Sequence, residues 1–95
     1  MVGLNFNSYE VTIANSGVGE LDLSAISTEK TVKINPGAAS VRLLVTASTS
    51  AVDATVISYL LINGENEFEL GGGLDRLSIY NGSGGQVKVS IAVMS

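Results

Sequence analysis

The side chains in this sequence that could do chemistry are mainly carboxylates between positions 63 and 75. Glu65, Glu67 and Glu69 alternate with other residues, so on a strand they would share one face at steps of about 6.5–7 Å. Carboxylate pairs at such separations act as acid and base in glycosidases. Calcium also binds such oxygen ligands, and three further oxygen donors lie nearby: Asn63, Asn66 and Asp75. We favour a third interpretation, in which the glutamates are solvated charges that protect a strand edge.

Other kinds of site are excluded or weakly indicated by the sequence. There is no histidine and no cysteine, which excludes Ser–His and Cys–His nucleophiles and zinc sites with thiolate or imidazole ligands. The glycines at 71–73 precede neither a lysine nor a helix, so we interpret them as a bend rather than a phosphate loop. Asn81-Gly82-Ser83 matches an N-glycosylation acceptor, but no secretory signal accompanies it. We therefore expect no enzyme activity, no catalytic residue, no metal and no cofactor.

The net charge and the hydropathy of the sequence limit the classes of partner that we expect. Nine acidic residues against five basic ones give a net charge of −4, whereas sequence-independent binding of nucleic acid requires a basic patch. No run approaches the roughly 18–20 apolar residues of a membrane span. The segment Met1–Asn7 has neither a basic region nor an apolar core, so we expect no signal peptide. The sequence predicts no nucleic-acid partner and no membrane partner.

The elements that would position these side chains are short strands. Apolar and polar residues alternate with period two, which is typical of half-buried strands. Such runs lie at 9–13, 21–23, 31–34, 41–47, 68–70, 77–79 and 87–93, and a further strand-like run at 56–62 is apolar on both faces. Asn35-Pro36-Gly37 and Asn63-Gly64 predict tight turns that return the chain in hairpins. No segment keeps a helical period over ten residues.

This pattern predicts a single all-β domain over residues 1–95. We expect an antiparallel β-sandwich of the jelly-roll or immunoglobulin-like kind, or a small barrel, with seven or eight short strands. Residues 1–7 are a candidate N-terminal arm that reaches a partner.

The balance of apolar and charged residues predicts an interface. Apolar residues make up 45% of the chain and charged residues 15%, against roughly 25% charged in an average soluble domain. The run at 56–62 is apolar on both faces, although a two-layer domain buries only one face of a strand. The second face must therefore be covered by a loop or by another chain, and we favour another chain. The candidate interface residues are Ile57, Tyr59, Leu61, Leu44 and Phe6.

Two segments resemble a pattern of small virion proteins in tailed bacteriophages. The first is Leu74-Asp-Arg-Leu-Ser-Ile-Tyr-Asn-Gly-Ser-Gly-Gly-Gln-Val-Lys-Val-Ser-Ile, in which one strand leads through a Gly/Ser turn into another. The second runs from Val32 through the Asn-Pro-Gly turn to Leu43. Proteins of this kind include capsid decoration (cement) proteins and other head or neck components. The resemblance covers about half the chain and contains no diagnostic motif, so no functional residue is transferred.

The resemblance implies a non-enzymatic structural protein, made in the host cytoplasm and incorporated into the virion. It would form a homo-oligomer, such as a trimer, and dock on a major capsid protein. Two alternatives stay open. One is a ligand-binding sandwich that takes glycan or calcium through Asp75 and the face formed by Glu65, Glu67 and Glu69. The other is a head–neck or tail component of the virion.

Overall fold

The computed structural model describes residues 6–26, 28–47, 55, 57 and 59–95. These residues form eight strands and confirm the predicted all-β class, and each predicted run corresponds to one strand. In chain order the strands are β1 Phe6–Ile13, β2 Val18–Asp22, β3 Lys30–Asn35, β4 Ser40–Thr46, β5 Leu60–Asn63, β6 Asn66–Leu70, β7 Arg76–Tyr80 and β8 Val87–Met94. Within the same ranges, no helix is long and apolar enough to cross a bilayer.

The strands form two four-stranded antiparallel sheets. The first sheet has the order β1-β8-β3-β6 and the second has the order β2-β7-β4-β5. Every connection passes from one sheet to the other except that between β4 and β5, which are neighbours in the second sheet. Two packed sheets of eight strands with this order form a jelly roll. The structure therefore selects the jelly roll among the predicted sandwich types.

The two predicted hairpins are wrong in their connectivity. Asn35-Pro36-Gly37 joins β3 in the first sheet to β4 in the second, and Asn63-Gly64 joins β5 in the second sheet to β6 in the first. Gly37 and Gly64 do adopt the positive φ that these turns favour, at 74° and 62°. The Gly64 backbone N–H donates to the Gly37 carbonyl at 3.2 Å. The two crossovers are therefore bonded to each other, and neither reverses the chain within one sheet.

The core lies between the sheets and is formed by alternate strand residues. Fourteen apolar side chains make one buried cluster, so the alternation in the sequence marks the inward faces correctly. Gly19 lies where β2 approaches β1, and a Cβ added there would lie 2.8 Å from Cγ1 of both Val11 and Ile13. The absence of a side chain at Gly19 thus lets the two sheets close at this edge.

One buried polar side chain fastens the loops at one end of the sandwich. Asn81 is fully buried, and its Nδ2 donates to the carbonyls of Ile13, Ala14 and Gly85 at 2.9, 3.2 and 2.7 Å. Its Oδ1 accepts from the backbone N–H and the hydroxyl of Ser83 at 3.0 and 2.7 Å. The amide nitrogen of the apparent glycosylation acceptor is thus engaged inside the fold.

The predicted N-terminal arm overlaps the first strand. Phe6 and Asn7 pair with Met94 and Val93 of β8, so the last two residues of the expected arm belong to the first sheet. Residues 1–5 of that arm lie outside the described ranges.

Candidate interaction surface

The four edge strands of the sandwich differ in charge. An edge strand presents unpaired backbone N–H and C=O groups, and proteins commonly protect such edges with charged side chains. In the described part of the chain the edges are β1 and β6 of the first sheet and β2 and β5 of the second. Three of these strands carry carboxylates: Glu10 on β1, Glu20 and Asp22 on β2, and Glu67 and Glu69 on β6. The β5 strand, Leu-Leu-Ile-Asn, carries no charge.

The β5 edge also exposes large apolar side chains. Leu60 and Leu61 are each 57% exposed, and Ile57, just before the strand, is 82% exposed. Ile62, between Leu61 and Asn63, is buried and lies opposite Val41 in the core. Leu61 therefore points to the outer face of the second sheet, where it lies opposite Arg42. The result is an uncharged edge with apolar groups accessible to a partner.

The structure places the five predicted interface residues on different surfaces. Ile57 and Leu61 are exposed near the β5 edge. Leu44 is half-buried on the outer face of the second sheet, opposite Ser78. Phe6 is 61% exposed, but it lies on the outer face of the first sheet beside Met94. Their role in an interface stays a prediction.

Tyr59 does not have the exposure that the sequence predicted. The expected strand at 56–62 begins only at Leu60, so Tyr59 lies in a bend before the strand rather than on the face of Leu61. It is 5% exposed, and its carbonyl accepts from Nη1 of Arg42 at 3.4 Å. Val56 and Ser58 of the same predicted strand lie outside the described residues.

Two exposed apolar residues of the second sheet were missed in the sequence. Leu60 lies two residues before Ile62 in β5, so its side chain is on the same inward face of the sheet, but it remains exposed. Val18 is 52% exposed on β2 and occupies the same row of the sheet as Leu61, with Tyr80 and Arg42 between them. Sequence alternation alone could not identify either residue, because exposure here depends on the position of each strand in the sheet.

The carboxylates of Glu65, just before β6, and of Glu67 and Glu69 on β6 are exposed to solvent. Nζ of Lys33 lies 3.8 Å from Oε1 of both Glu65 and Glu67, and exposed ion pairs of this kind contribute about 0–1 kcal/mol. Asp75 lies in the β6–β7 loop, where its backbone N–H donates to the Thr46 carbonyl at 3.2 Å. Among the residues with described positions, no group of three or more acidic side chains is placed to hold a metal ion. Calcium binding by these residues stays an alternative from the sequence.

The outer face of the first sheet carries an open cleft lined by both polar and apolar residues. Its lining includes Ser8, Glu10, Lys33, Asn35 and Ser90. The one aromatic residue in that lining is the half-buried Tyr9, whose register opposite Ile91 turns it towards the core. The cleft therefore has no exposed aromatic ring on which a sugar could stack.

The carboxyl group of Asp22, on the β2 edge, has a lowered pKa. The backbone N–H of Ser24 donates to Asp22 Oδ1 at 2.8 Å, and this bond is the largest cause of a lowered pKa for Asp22, with the Ser24 side chain and Arg76 acting in the same direction. The pKa of Asp22 is thus lower in the folded chain than in the unfolded chain. As the pH falls, the unfolded chain takes up a proton at Asp22 before the folded chain does. The contribution of Asp22 to stability is thus present above about pH 4 and is lost as the pH falls through the folded pKa.

We expect an NMR titration of the carboxyl carbons to show Asp22 titrating below the usual aspartate range. Ser24→Pro removes the backbone donor and should return the pKa of Asp22 towards its usual value. Ser24→Ala keeps that donor and should leave most of the lowering. An ordinary pKa for Asp22 in the unmodified chain would contradict the assignment.

Comparison with known proteins identifies similar folds but does not assign the chain to a family. No family model matches the chain, and no curated protein matches it. The SPBc2 prophage-derived protein YomS is 17% identical, with a TM-score of 0.56 over 100% of this chain and 97% of that one.

Two further structures align with a TM-score of 0.58 at 9% identity. One comes from the disulfide-linked pili of Bacillus endospore appendages and covers 96% of this chain and 86% of its own. The other is the cupin domain of an XRE-family transcriptional regulator from Enterobacter cloacae, which covers 93% and 79%. At these identities the likeness shows a shared fold.

Proposed function

We propose that this chain is a non-enzymatic structural protein of a virion, which associates with copies of itself and attaches to a capsid shell as a decoration protein. The observation that carries the proposal is the uncharged β5 edge, where Leu60 and Leu61 are both 57% exposed. The other described edges of the same domain carry carboxylates. A domain that protects its other edges and leaves one edge apolar is built to pair with another chain.

The side chains support a non-enzymatic role. The chain has neither histidine nor cysteine. The acidic residues in the described ranges form no group of three or more that could hold a metal ion, and Glu65 and Glu67 lie beside Lys33. The exposed apolar surface at β5 suits assembly rather than catalysis.

The comparisons support a role in assembly, although fold alone does not determine function. YomS matches this chain over nearly the whole of both proteins and derives from a prophage, which favours a bacteriophage role. The endospore appendage protein belongs to disulfide-linked pili. This chain has no cysteine, so its own assembly would rely on noncovalent contacts between surfaces such as the β5 edge.

Sedimentation of virions tests the proposal. In lysates containing particles whose genome encodes this chain, we expect the protein to sediment with filled heads and to be present in numbers comparable to the major capsid protein. A head–neck or tail component would instead be present in a few copies per particle. Recovery of the chain entirely in the low-molecular-weight fraction, with intact heads in the pellet, would refute a virion role.

A further inference from the structure

We infer that β5 pairs with β5 of a second copy, in an antiparallel two-fold arrangement that joins two four-stranded sheets into one eight-stranded sheet. This inference rests on the self-association in the proposed function and identifies the surface that performs it. Within the described residues, β5 pairs with β4 on one side and lies at the edge of its sheet on the other. Its outward backbone groups are therefore placed to bond another strand.

Charge identifies a second copy of this chain as a fitting occupant of the β5 edge. Each copy carries a net charge of −4, so two copies repel each other when their acidic edges approach. The β5 strand is the described edge strand without a carboxylate. It is also self-complementary, because a two-fold axis places leucine and isoleucine side chains against each other. Apolar cross-strand pairs of this kind stabilise antiparallel sheets.

The burial pattern of β5 restricts the register to pairings that keep both cores on one side of the joined sheet, and the pairing centred on Leu61 is the one that matches all three apolar residues of the strand. Residues directly opposite each other in an antiparallel pair project to the same face of the sheet. Leu61 points outward, whereas Leu60 and Ile62 have the opposite parity. A pairing centred on Leu61 therefore places Leu61 against Leu61 of the second copy, and Leu60 against its Ile62. A slip of one residue would put the second core on the opposite side of the joined sheet.

The pairing is expected to be weak in free solution and stronger at high salt. A four-residue strand pair is small beside the roughly 1,600 Å² of a standard stable interface. The chain passes from β5 into β6 through two residues, so the carboxylates of β6 lie on the same side of the sandwich as the paired edge. Salt screens the repulsion between these two acidic rows. Attachment of many copies to one shell would reinforce such weak contacts through their high local concentration.

A single introduced cysteine tests the register, since the chain has no cysteine of its own. Opposite residues in an antiparallel pair have Cα atoms about 4.5–5.5 Å apart, which lies within the roughly 4.4–6.8 Å that disulfides span. Under mild oxidation we expect Leu61→Cys to form a covalent dimer at least tenfold faster than Val18→Cys. Val18 is the matched control, because it is similarly exposed (52%) on the opposite edge of the same sheet.

Sedimentation equilibrium of charged variants provides the second measurement. We expect Leu61→Asp to weaken self-association at least tenfold and Val18→Asp to leave it unchanged, with circular dichroism used to verify that both fold. Equal oxidation rates for the two cysteine variants would overturn the β5 pairing. So would self-association that Leu61→Asp does not weaken, or a monomeric unmodified chain at every concentration. The sedimentation of virions then decides the proposed function separately, since a virion protein can assemble through another surface.

Discussion

Replacement of Asn81 by alanine is expected to lower the free energy of unfolding by about 3 kcal/mol or more. The side chain is fully buried. It donates to three carbonyls, including those of Ile13 and Gly85, and accepts two hydrogen bonds from Ser83. Each bond contributes about 0.5–1.5 kcal/mol, and a buried carbonyl left without a donor costs about 1–3 kcal/mol. The loss is large because one truncation affects the β1–β2 turn and the β7–β8 loop together.

Denaturant unfolding measures this effect, with Asn15→Ala as the matched control. Asn15 is exposed and accepts one hydrogen bond from the Gly84 backbone N–H at 3.2 Å, so its truncation should cost less than about 1 kcal/mol. Asn81→Asp keeps the acceptor but loses the donors and buries a charge, so we expect it to be at least as damaging as alanine. If Asn81→Ala and Asn15→Ala lowered the free energy of unfolding equally, this would contradict the role of the buried Asn81 amide.

Leu77→Ala is expected to lower the free energy of unfolding by about 3 kcal/mol, within the usual range of about 2–5 kcal/mol for a buried leucine. Leu77 is fully buried and is the second residue of β7. It lies between Leu21 of β2 and Val45 of β4 in the same row of the sheet. Truncation there leaves a cavity that close-packed neighbours on both sides fill only in part.

Leu61→Ala provides the control for the same chemical change in the same sheet. Because Leu61 is 57% exposed, its truncation should change the free energy of unfolding by less than about 0.5 kcal/mol. Both variants are to be measured at low protein concentration, where self-association does not contribute to stability. A loss at Leu61 as large as that at Leu77 would show that β5 packs against its own chain rather than lying open to a partner.

The existence of the strands could be predicted from the sequence because one face of each strand meets the core. Val87, Val89, Ile91 and Val93 alternate with polar or small residues, and all four are buried in β8. The sheet to which each strand belongs could not be predicted in the same way. Positive φ at Gly37 and Gly64 is compatible both with a hairpin and with a crossover between sheets. The tight-turn signal is local, whereas the choice of partner strand depends on contacts distant in the sequence.

The exposed apolar surface at β5 was predictable only in part. The lack of charge between positions 56 and 62 is visible in the sequence and indicated an apolar surface. Its location at a sheet edge follows from the order β2-β7-β4-β5, which no local pattern contains. The burial of Tyr59 was missed for a related reason. The strand begins one residue after Tyr59, so period-two alternation no longer determines the direction of its side chain.

The position of β8 has a consequence for the biosynthesis of the protein. The strand nearest the C-terminus lies in the interior of the first sheet, between β1 and β3. Neither β1 nor β3 can gain this hydrogen-bonding neighbour until residues 87–94 have left the ribosome. The nascent chain must therefore hold β1, which with β8 is one of its two eight-residue strands, unpaired until β8 has been synthesised. Completion of the first sheet depends on contacts between segments distant in the sequence, which is typical of the slower, millisecond-to-second β folds.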